Sequence, residues 1–286
     1  MLSAVLLMGL IGCQNTNWPN WRLGSPTTEP AVPVPTTAPP AQDAPTPLSD
    51  LTLRPIVIQT VHFAILRVLA TPGTFSNSEK IWNPIDEEVL PAETRMMLRN
   101  NGLRVGVGKH ASWPQIKAAL DAEKVEVITN EQVLQNGVPL NIEINPQPRD
   151  QTVFLIRSDG SMPGAFFPQS TTVLRIEYWI PPERPDSVMI ELMPEIRLPR
   201  TAGQSNMAAA ALQAPNSGQP SRPLREMITR IRVNADEFLV VGPSRVTQQP
   251  HLVGALLLTE EVDGRKLESM CFITTKILSV PQTPTP

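Results

Sequence analysis

The sequence has few cysteines, few aromatic residues and no excess of basic residues. Its 286 residues include two cysteines and one tyrosine, aromatic residues make up 5%, and the formal net charge is −3. Two cysteines cannot build the disulfide framework of a small secreted domain. Without a basic excess the chain lacks the charge that neutralises a phosphate backbone, so nucleic acid is not an expected partner. Aromatic poverty argues against a ligand-binding pocket, which aromatic side chains commonly line.

Residues that perform catalysis or hold metals are also scarce. None of the three histidines, His62, His110 and His251, has a His or Cys partner at metal-ligand spacing. The sequence contains no G-x-S-x-G nucleophile motif, and the glycine spacing in residues 102–109 differs from that of a phosphate-binding loop. We therefore predict no metal, no cofactor and no enzymatic activity. A hydrolase is therefore the weakest functional hypothesis, because it needs a convergent polar site that the sequence does not reveal.

Two groups of carboxylates have simpler explanations than catalysis. Asp86, Glu87 and Glu88 lie at the start of a predicted helix, where acidic side chains interact favourably with the helix dipole. Glu260 and Glu261 are neighbours in a predicted strand, so they point to opposite faces. Neither group predicts a catalytic pair.

The tryptophans and the second cysteine are expected to be structural. Trp82 and Trp113 lie at helix entries and are predicted to pack in the core, with a ligand platform as the alternative. Trp179 is predicted at the rim of a sheet. Cys271 lies in an apolar segment, where a free cysteine behaves as a small buried hydrophobic residue.

The N-terminus has the features of an export signal. The apolar run of residues 2–11 is too short for a bilayer span, which needs about twenty residues, and is typical of a signal-peptide core. It ends in Leu10-Ile11-Gly12-Cys13, which resembles the lipobox of bacterial lipoproteins. That resemblance implies cleavage before Cys13 and a lipid on its thiol. Residues 1–13 are thus predicted to be a lipoprotein signal peptide with lipidated Cys13.

Two observations qualify the location of the anchor. No Lys or Arg precedes the apolar run, although such charge normally orients a signal peptide; an earlier start and a chance cysteine are the alternatives. Gln14 follows Cys13 where lipoproteins retained in the inner membrane carry aspartate. The resemblance therefore implies an outer-membrane protein that faces the periplasm.

Proline is abundant, with 32 residues, and much of it lies near the N-terminus. Residues 14–50 combine it with Thr, Ala and Ser and carry too few apolar residues for a core, so we predict a disordered linker. A proline-rich chain extends about 3.1 Å per residue, and a linker of this length would reach roughly 100 Å from the membrane. Residues 281–286 are predicted to form a disordered tail of the same composition.

The rest of the chain predicts an α+β fold in two parts. Residues 51–123 alternate strand and helix: a strand over 55–70, a helix over 85–100 ending at an Asn101-Gly102 cap, a strand over 103–107, and a helix from the N-cap Ser112 to Ala122. Residues 124–280 are predicted to form a mostly antiparallel β domain, including strands over 171–180, 187–196 and 252–261. Turn signals lie at Asn136-Gly137, Asp159-Gly160 and Asp263-Gly264. Residues 200–223, poor in large apolar residues, are predicted to be a flexible insertion.

Three stretches of the β-rich half resemble the conserved sheet region of bacterial secretins. They are the strand pair in residues 171–195 ending in Met193-Pro194-Glu195-Ile196, the strand 237–242, and residues 252–256 through 272–277. Thr275 stands where the family pattern has proline, and the upstream ring-forming domains are not evident. The resemblance covers residues 171–278 and implies a β-sheet domain of a secretion-type complex, but not formation of a pore.

The favoured hypothesis is a lipid-anchored protein of the cell envelope with a non-enzymatic interaction or assembly role. Its expected partners are the membrane, through the lipid, and another envelope protein, with association with a secretion-type complex as the finer expectation. The alternative is an envelope lipoprotein that binds a ligand or surface polymer. An exposed apolar sheet edge would favour assembly, and a pocket would favour binding.

Overall fold

The computed structural model describes residues 56–198 and 220–282. The predicted lipidation site Cys13, the linker 14–50 and residues 283–286 of the tail lie outside the described residues, as does the insertion up to residue 219. The described elements belong to one compact unit, Pro55–Pro286. None of the helices in the two described ranges has the length and apolar character needed to cross a bilayer.

The described residues form thirteen strands and four helices. The strands are β1 (Ile56–Ala70), β2 (Ile85–Asp86), β3 (Leu103–Lys109), β4 (Glu126–Gln135), β5 (Leu140–Glu143), β6 (Arg149–Phe154), β7 (Gly164–Trp179), β8 (Ser187–Arg197), β9 (Ser221–Pro223), β10 (Thr229–Asn234), β11 (Glu237–Pro243), β12 (Thr259–Val262) and β13 (Arg265–Gln282). The helices are α1 (Glu79–Trp82), α2 (Ala92–Asn100), α3 (Trp113–Ala122) and α4 (Val253–Leu258). All pairings between these strands are antiparallel. The predicted α+β fold with a mostly antiparallel sheet is confirmed.

β1 and β13 form the centre of the larger sheet, sheet A. Its strand order is β2-β3-β11-β13-β1-β4, with β12 paired to β13. β1 pairs with β13 along its whole length, from Ile56 opposite Gln282 to Ala70 opposite Glu268. It is mostly apolar, as expected of a strand with both faces covered: Phe63 on one face and Leu66 on the other are at most 1% exposed. Residues 51–123 and 124–280, which the sequence treats as separate units, thus contribute neighbouring strands to one sheet.

The smaller sheet, sheet B, has the strand order β10-β8-β7-β5, with β6 paired to β7 and β9 paired to β8. The predicted alternation along β7 is confirmed, since Ile176 and Tyr178 are buried whereas Arg175 and Glu177 are partly exposed. The apolar face of sheet B packs against sheet A in a shared core. There the ring of Tyr178 contacts Phe63 edge-on, with the ring centroids 4.8 Å apart.

The other face of sheet A is covered by α1 and α3. Trp113, at the start of α3, contacts the rings of Phe238 and Phe272 edge-on, at centroid distances of 5.8 and 5.3 Å. Gly108 makes room for this cluster, because a Cβ at that position would lie 2.4 Å from the Phe238 ring. The described residues therefore form three layers, with sheet A between the helices and sheet B.

Two element predictions were wrong. Residues 252–261 were predicted to be one strand, but α4 occupies most of this segment and only its end belongs to β12. A short, uniformly apolar run shows no periodicity that separates a buried helix from a buried strand. The predicted helix 85–100 begins instead with β2 and a turn, and α2 starts after Pro91.

Turn predictions had mixed outcomes. Asp159-Gly160 and Asp263-Gly264 are hairpin turns, with φ of +79° and +71° at the glycines. Asn136-Gly137 is not a hairpin turn, because it joins β4 of sheet A to β5 of sheet B. Ser112 holds the N-cap position of α3, but its side chain makes no capping hydrogen bond. Residues 221–223 of the predicted insertion form β9.

Candidate interaction surface at the edge strand β4

β4 is a ten-residue strand at the edge of sheet A. Lys124, with φ of +53°, reverses the chain after α3 and starts β4, which pairs with β1 from Glu126 opposite Leu69 to Gln135 opposite Thr60. No other described strand pairs with it. An edge strand presents outward-facing N–H and C=O groups that another strand can join. β4 is longer than the other strands that end the two strand orders, β2, β5 and β10.

β4 carries apolar side chains that are exposed on both of its faces. Ile128 is 44% exposed, and Val133 is 58% exposed on the opposite face. Val138, just beyond the strand, is 36% exposed. Isolated exposed apolar residues are ordinary. Their position along a free edge makes these residues candidates for contacts with a partner.

β4 also lacks several devices that block the edges of natural sheets. Such edges commonly carry proline, lysine or a β-bulge. Residues 126–135 contain neither proline nor lysine, and the register with β1 is continuous. The charges on the strand are Glu126 and Glu131, and His62 of β1 lies 3.3 Å from Glu131. The edge is therefore open, acidic and free of a bulge.

A groove of about 310 Å³ lies beside β4, between the open edges of the two sheets. Arg67 of β1, Ile128 and Asn130 of β4, and Asn141 and Glu143 of β5 line it. An added strand would direct every second side chain toward this groove. The groove offers apolar, amide and charged contacts of both signs.

A buried arginine fixes the β5 wall of the groove. Arg197 of β8 is 3% exposed and donates hydrogen bonds to Glu143 Oε1 at 2.8 Å, Asn141 Oδ1 at 2.5 Å and Glu195 Oε1 at 2.9 Å. A guanidinium holds several donors in one rigid plane. Asn141 and Glu143 are thereby held in one arrangement before any partner arrives.

The three histidines lie in separate parts of the described fold. His62 is in β1, His110 follows β3, and His251 precedes α4 and contacts Phe154 edge-on at 5.9 Å. Burial lowers the pKa of His110, although Asp236 and Glu237 oppose this effect. Within the two described ranges, no three His, Cys, Asp or Glu residues form a group that could hold a metal ion.

The predicted structural residues lie as expected. Trp82 is 3% exposed, donates its indole N–H to Phe75 O at 3.0 Å and stacks with Arg104, whose Cζ lies 3.9 Å from the ring centroid. Trp179 is 37% exposed at the end of β7, as predicted for a rim residue. Cys271 is 1% exposed, and burial raises the pKa of its thiol to about 12.

The carboxylates singled out in the sequence are engaged in ion pairs or exposed. Glu87 precedes α2 by several residues, so the predicted dipole role is replaced by hydrogen bonds from Arg104 at 2.6 Å and Arg99 at 2.5 Å. Burial opposes ionisation of Glu87, but these hydrogen bonds lower its pKa overall. Glu260 lies 3.5 Å from Arg67, whereas Glu261 is exposed.

Sequence reasoning missed the importance of β4. Residues 125–128 were recognised as strand-like, but the sequence places no partner beside them. The signal that was available is the alternation of polar and apolar residues with charges on both faces, which is typical of a strand with two exposed faces. Cys13, the one site residue that the sequence proposed, lies outside the described residues.

No protein-family model and no curated protein matches the chain. Its structural neighbours are secretins, the family that the sequence resembles. The secretin domain of InvG from the Salmonella SPI-1 injectisome is 14% identical, with a TM-score of 0.21, over 83% of this chain and 67% of that chain. The chain is 14% identical to the Klebsiella pneumoniae type II outer-membrane complex of PulD, PulS and the PulC HR domain, with a TM-score of 0.22, over 80% of this chain and 41% of that chain. The secretin GspD of E. coli K12 is 13% identical, with a TM-score of 0.22, over 78% of this chain and 49% of that chain.

These values establish neither the fold nor the function of this protein. The chain spans between about two fifths and two thirds of these secretin chains.

Proposed function

We propose that the protein is a lipid-anchored, non-enzymatic assembly protein of the bacterial cell envelope that binds its partner through the edge strand β4. The observation that carries this proposal is the free edge of β4, with exposed Ile128 and Val133 on its two faces. An extended segment of the partner would add to sheet A as a further strand.

In strand addition, the backbone and the side chains contribute differently to recognition. Main-chain hydrogen bonds supply affinity that is largely independent of the partner's sequence, and pockets for alternate side chains supply selectivity. Beside β4, the groove that Arg67, Asn141 and Glu143 line has this second role. The acidic residues Glu126 and Glu131 favour a partner segment with basic residues at its margins.

The anchor and the cellular location rest on the sequence. The lipobox-like Leu10-Ile11-Gly12-Cys13 supports a lipid on Cys13, and Gln14 supports the outer membrane. The proline-rich linker would let the folded part meet a partner away from the bilayer. Association with a secretion-type complex is supported by the secretin-like stretches in residues 171–278.

Capture of partners from detergent-solubilised membranes tests the role of β4. We compare the wild-type protein with Ile128→Lys and Val133→Lys, which place a cation on either face of the edge while leaving the core intact. Val89→Lys is the matched control, because Val89 is 43% exposed and precedes α2 rather than belonging to β4. We expect a stable envelope partner for the wild type and the control, with its recovery reduced by each β4 variant.

Two outcomes contradict the proposal: recovery of no envelope partner by the wild type, or equal recovery by all four proteins. The anchor is tested separately by metabolic labelling with a fatty acid in the wild type and in Cys13→Ser. Label in the wild type alone supports the anchor, whereas equal labelling, or none in either protein, removes it.

A further inference from the structure

A second cavity lies away from β4, where β6 meets the segment from α4 to β13. Its volume is about 320 Å³. Arg149 and Thr152 of β6, Phe166 of β7, His251, and Lys266 of β13 are among the residues that line it. Arg149 also borders a neighbouring cavity of about 470 Å³, so its side chain stands between two open spaces. The cavity therefore brings together two cations, a histidine and an aromatic ring.

Arg149 is half-buried and has no acidic partner within 4 Å among the described residues. Other partly buried arginines in the fold are paired, as Arg67 is with Glu260 and Arg104 with Glu87. Burying a charge is unfavourable unless an opposite charge or hydrogen bonds compensate. Burial accordingly lowers the pKa of the Arg149 guanidinium. An anion bound in the cavity would supply the missing compensation.

The charges around the cavity favour an anion. Lys266 is likewise without an acidic partner within 4 Å among the described residues, and His251 is exposed at the cavity wall. The one carboxylate in the lining, Asp150, accepts hydrogen bonds from the backbone and side-chain nitrogens of Gln169 at 2.9 and 3.0 Å. These bonds lower the pKa of Asp150 and hold its Oδ1 in place.

The acids nearest to this site are Glu260 and Glu261, which line the neighbouring cavity that Arg149 also borders. Glu260 pairs with Arg67. Glu261 lies opposite Lys266 in the β12–β13 ladder, but neither residue is among the ion pairs within 4 Å of the described residues. The carbonyl of Ala255, within α4, accepts a hydrogen bond from the Thr259 hydroxyl, so it does not face an incoming anion unpaired.

The remaining wall is apolar. Phe166 is 61% exposed, which is unusual for a phenylalanine, and its ring borders the cavity together with Ala255, Leu256 and Pro250. A fully hydrated inorganic ion would leave this wall without a contact. A ligand with an apolar group next to its charge would use both parts of the cavity.

We propose that this cavity binds a phosphate ester, with the phosphate between Arg149 and Lys266 and the adjoining apolar group against Phe166. A guanidinium binds phosphate through two parallel hydrogen bonds, and an ammonium adds a point charge. A phosphate monoester carries a charge of about −1.5 to −2 near neutral pH, which two cations balance. The ester could be a soluble phosphate monoester or the phosphodiester headgroup of an anionic phospholipid. Both present anionic phosphoryl oxygens next to an apolar group, although the diester carries less charge.

Calorimetric titration of the full-length, unlipidated chain (Cys13→Ser) with phenyl phosphate and with inorganic phosphate tests the site. We expect phenyl phosphate to bind more tightly than inorganic phosphate. Arg149→Gln should weaken phenyl phosphate binding by about tenfold or more, and Lys266→Gln should weaken it less, because Lys266 is more exposed. Phe166→Ala should remove the preference for the phenyl ester and leave inorganic phosphate binding unchanged.

Arg157→Gln is the matched control. Arg157 lies on the β6–β7 hairpin but is paired with Glu226 at 3.2 Å and does not line the cavity. The proposal is overturned if the wild-type chain does not bind phenyl phosphate at millimolar concentration, or if Arg157→Gln weakens binding as much as Arg149→Gln. Thermal unfolding of each variant establishes that it is folded. If Arg149→Gln does not fold, Lys266→Gln still tests the site, because Lys266 lies on the surface.

Vesicles distinguish the two sources of the ester. The unlipidated chain is sedimented with phosphatidylcholine vesicles that contain or lack phosphatidylglycerol. Binding that requires phosphatidylglycerol and is lost in Arg149→Gln and Phe166→Ala assigns the site to a lipid headgroup. Binding of phenyl phosphate without capture by vesicles assigns it to a soluble ester. The cavity is built by β6, α4 and β13, none of which forms the β4 edge. A negative result here would therefore leave the proposal for β4 unchanged.

Discussion

Replacing Asn101 by aspartate should destabilise the fold strongly and in a pH-dependent way. Asn101 is 0% exposed at the end of α2. Its side-chain amide donates to Met97 O at 2.8 Å and to Ile156 O at 2.7 Å, and its Oδ1 accepts the backbone N–H of Ile156 at 2.7 Å. One side chain thus joins α2 to the loop that follows β6. In Asn101→Asp an oxygen replaces the NH₂ group and faces two carbonyl oxygens.

The size of the destabilisation follows from the carboxyl group and the two carbonyl oxygens that face each other in the variant. An ionised carboxylate introduced at this position would be buried against two acceptors, so the folded state favours its protonated form and raises its pKa above the usual value near 4. Each unit of that shift costs about 1.4 kcal/mol at neutral pH. The protonated form still loses one of the two donated hydrogen bonds, for about 1 kcal/mol. We therefore expect a loss of about 3–5 kcal/mol at pH 7, against a typical total of roughly 5–15 kcal/mol.

Urea unfolding at pH 7 and pH 4 measures this effect. Because the pKa of the introduced carboxyl is raised, its contribution is most favourable below its unfolded pKa and is lost as pH rises through the folded pKa. The deficit relative to wild type should thus shrink at pH 4. Asn101→Ala should lose a similar free energy with no such recovery, and exposed Asn100→Asp should change stability by about 1 kcal/mol or less. A deficit below about 1 kcal/mol at pH 7, or one that is equal at both pH values, would refute the reasoning.

Three further predictions follow from the described contacts. In the Cys13→Ser chain, Cys271 should resist a thiol reagent in the native state and react fully in urea, because its thiol is buried and its pKa is raised to about 12; rapid native reaction would contradict this. Glu87→Gln should lower the free energy of unfolding by about 1–3 kcal/mol at pH 7. Because the pKa of Glu87 is lowered in the fold, its contribution is lost as pH falls, and the difference from wild type should fade below about pH 4.5. A difference in urea midpoints that is the same at all pH values would count against this. Gly254→Ala should unfold at a clearly lower urea concentration than Gly264→Ala. A Cβ at Gly254 would lie 2.3 Å from the backbone of Gly102, whereas Gly264→Ala would meet open space and only the strain of its positive φ of +71°.

Sequence reasoning worked best where the pattern was local. The alternation of β7 and β8 predicted a half-buried sheet, and Asp263-Gly264 predicted a tight hairpin, because side-chain period and turn geometry depend on neighbouring residues alone. Gly102, with φ of +88°, occupies the left-handed position that the end of α2 was expected to need. The inert, buried Cys271 was likewise readable from its apolar neighbours.

What the sequence could not supply were long-range partners. β1 pairs with β13 across about two hundred residues, and the sequence of neither strand predicts which strand it pairs with. Among the described residues, the free edge of β4 depends on which strands lie beside it, and the lack of an acidic partner for Arg149 depends on where the acids lie in space. The buried ion network of Arg197 was missed for the same reason: its partners come from β5 and β8, and only the fold brings them together.

The pairing of β1 with β13 has a mechanical consequence. β1 begins at Ile56, and its partner β13 runs antiparallel beside it to Gln282, so a pull along the axis of β1 would act at Ile56. Tension applied at that end loads the ladder in shear, so many hydrogen bonds must yield together rather than peel apart in sequence. If the upstream chain is tethered to a membrane while β4 holds a partner, β1 is the strand that transmits force between them, since it is the neighbour of β4 as well.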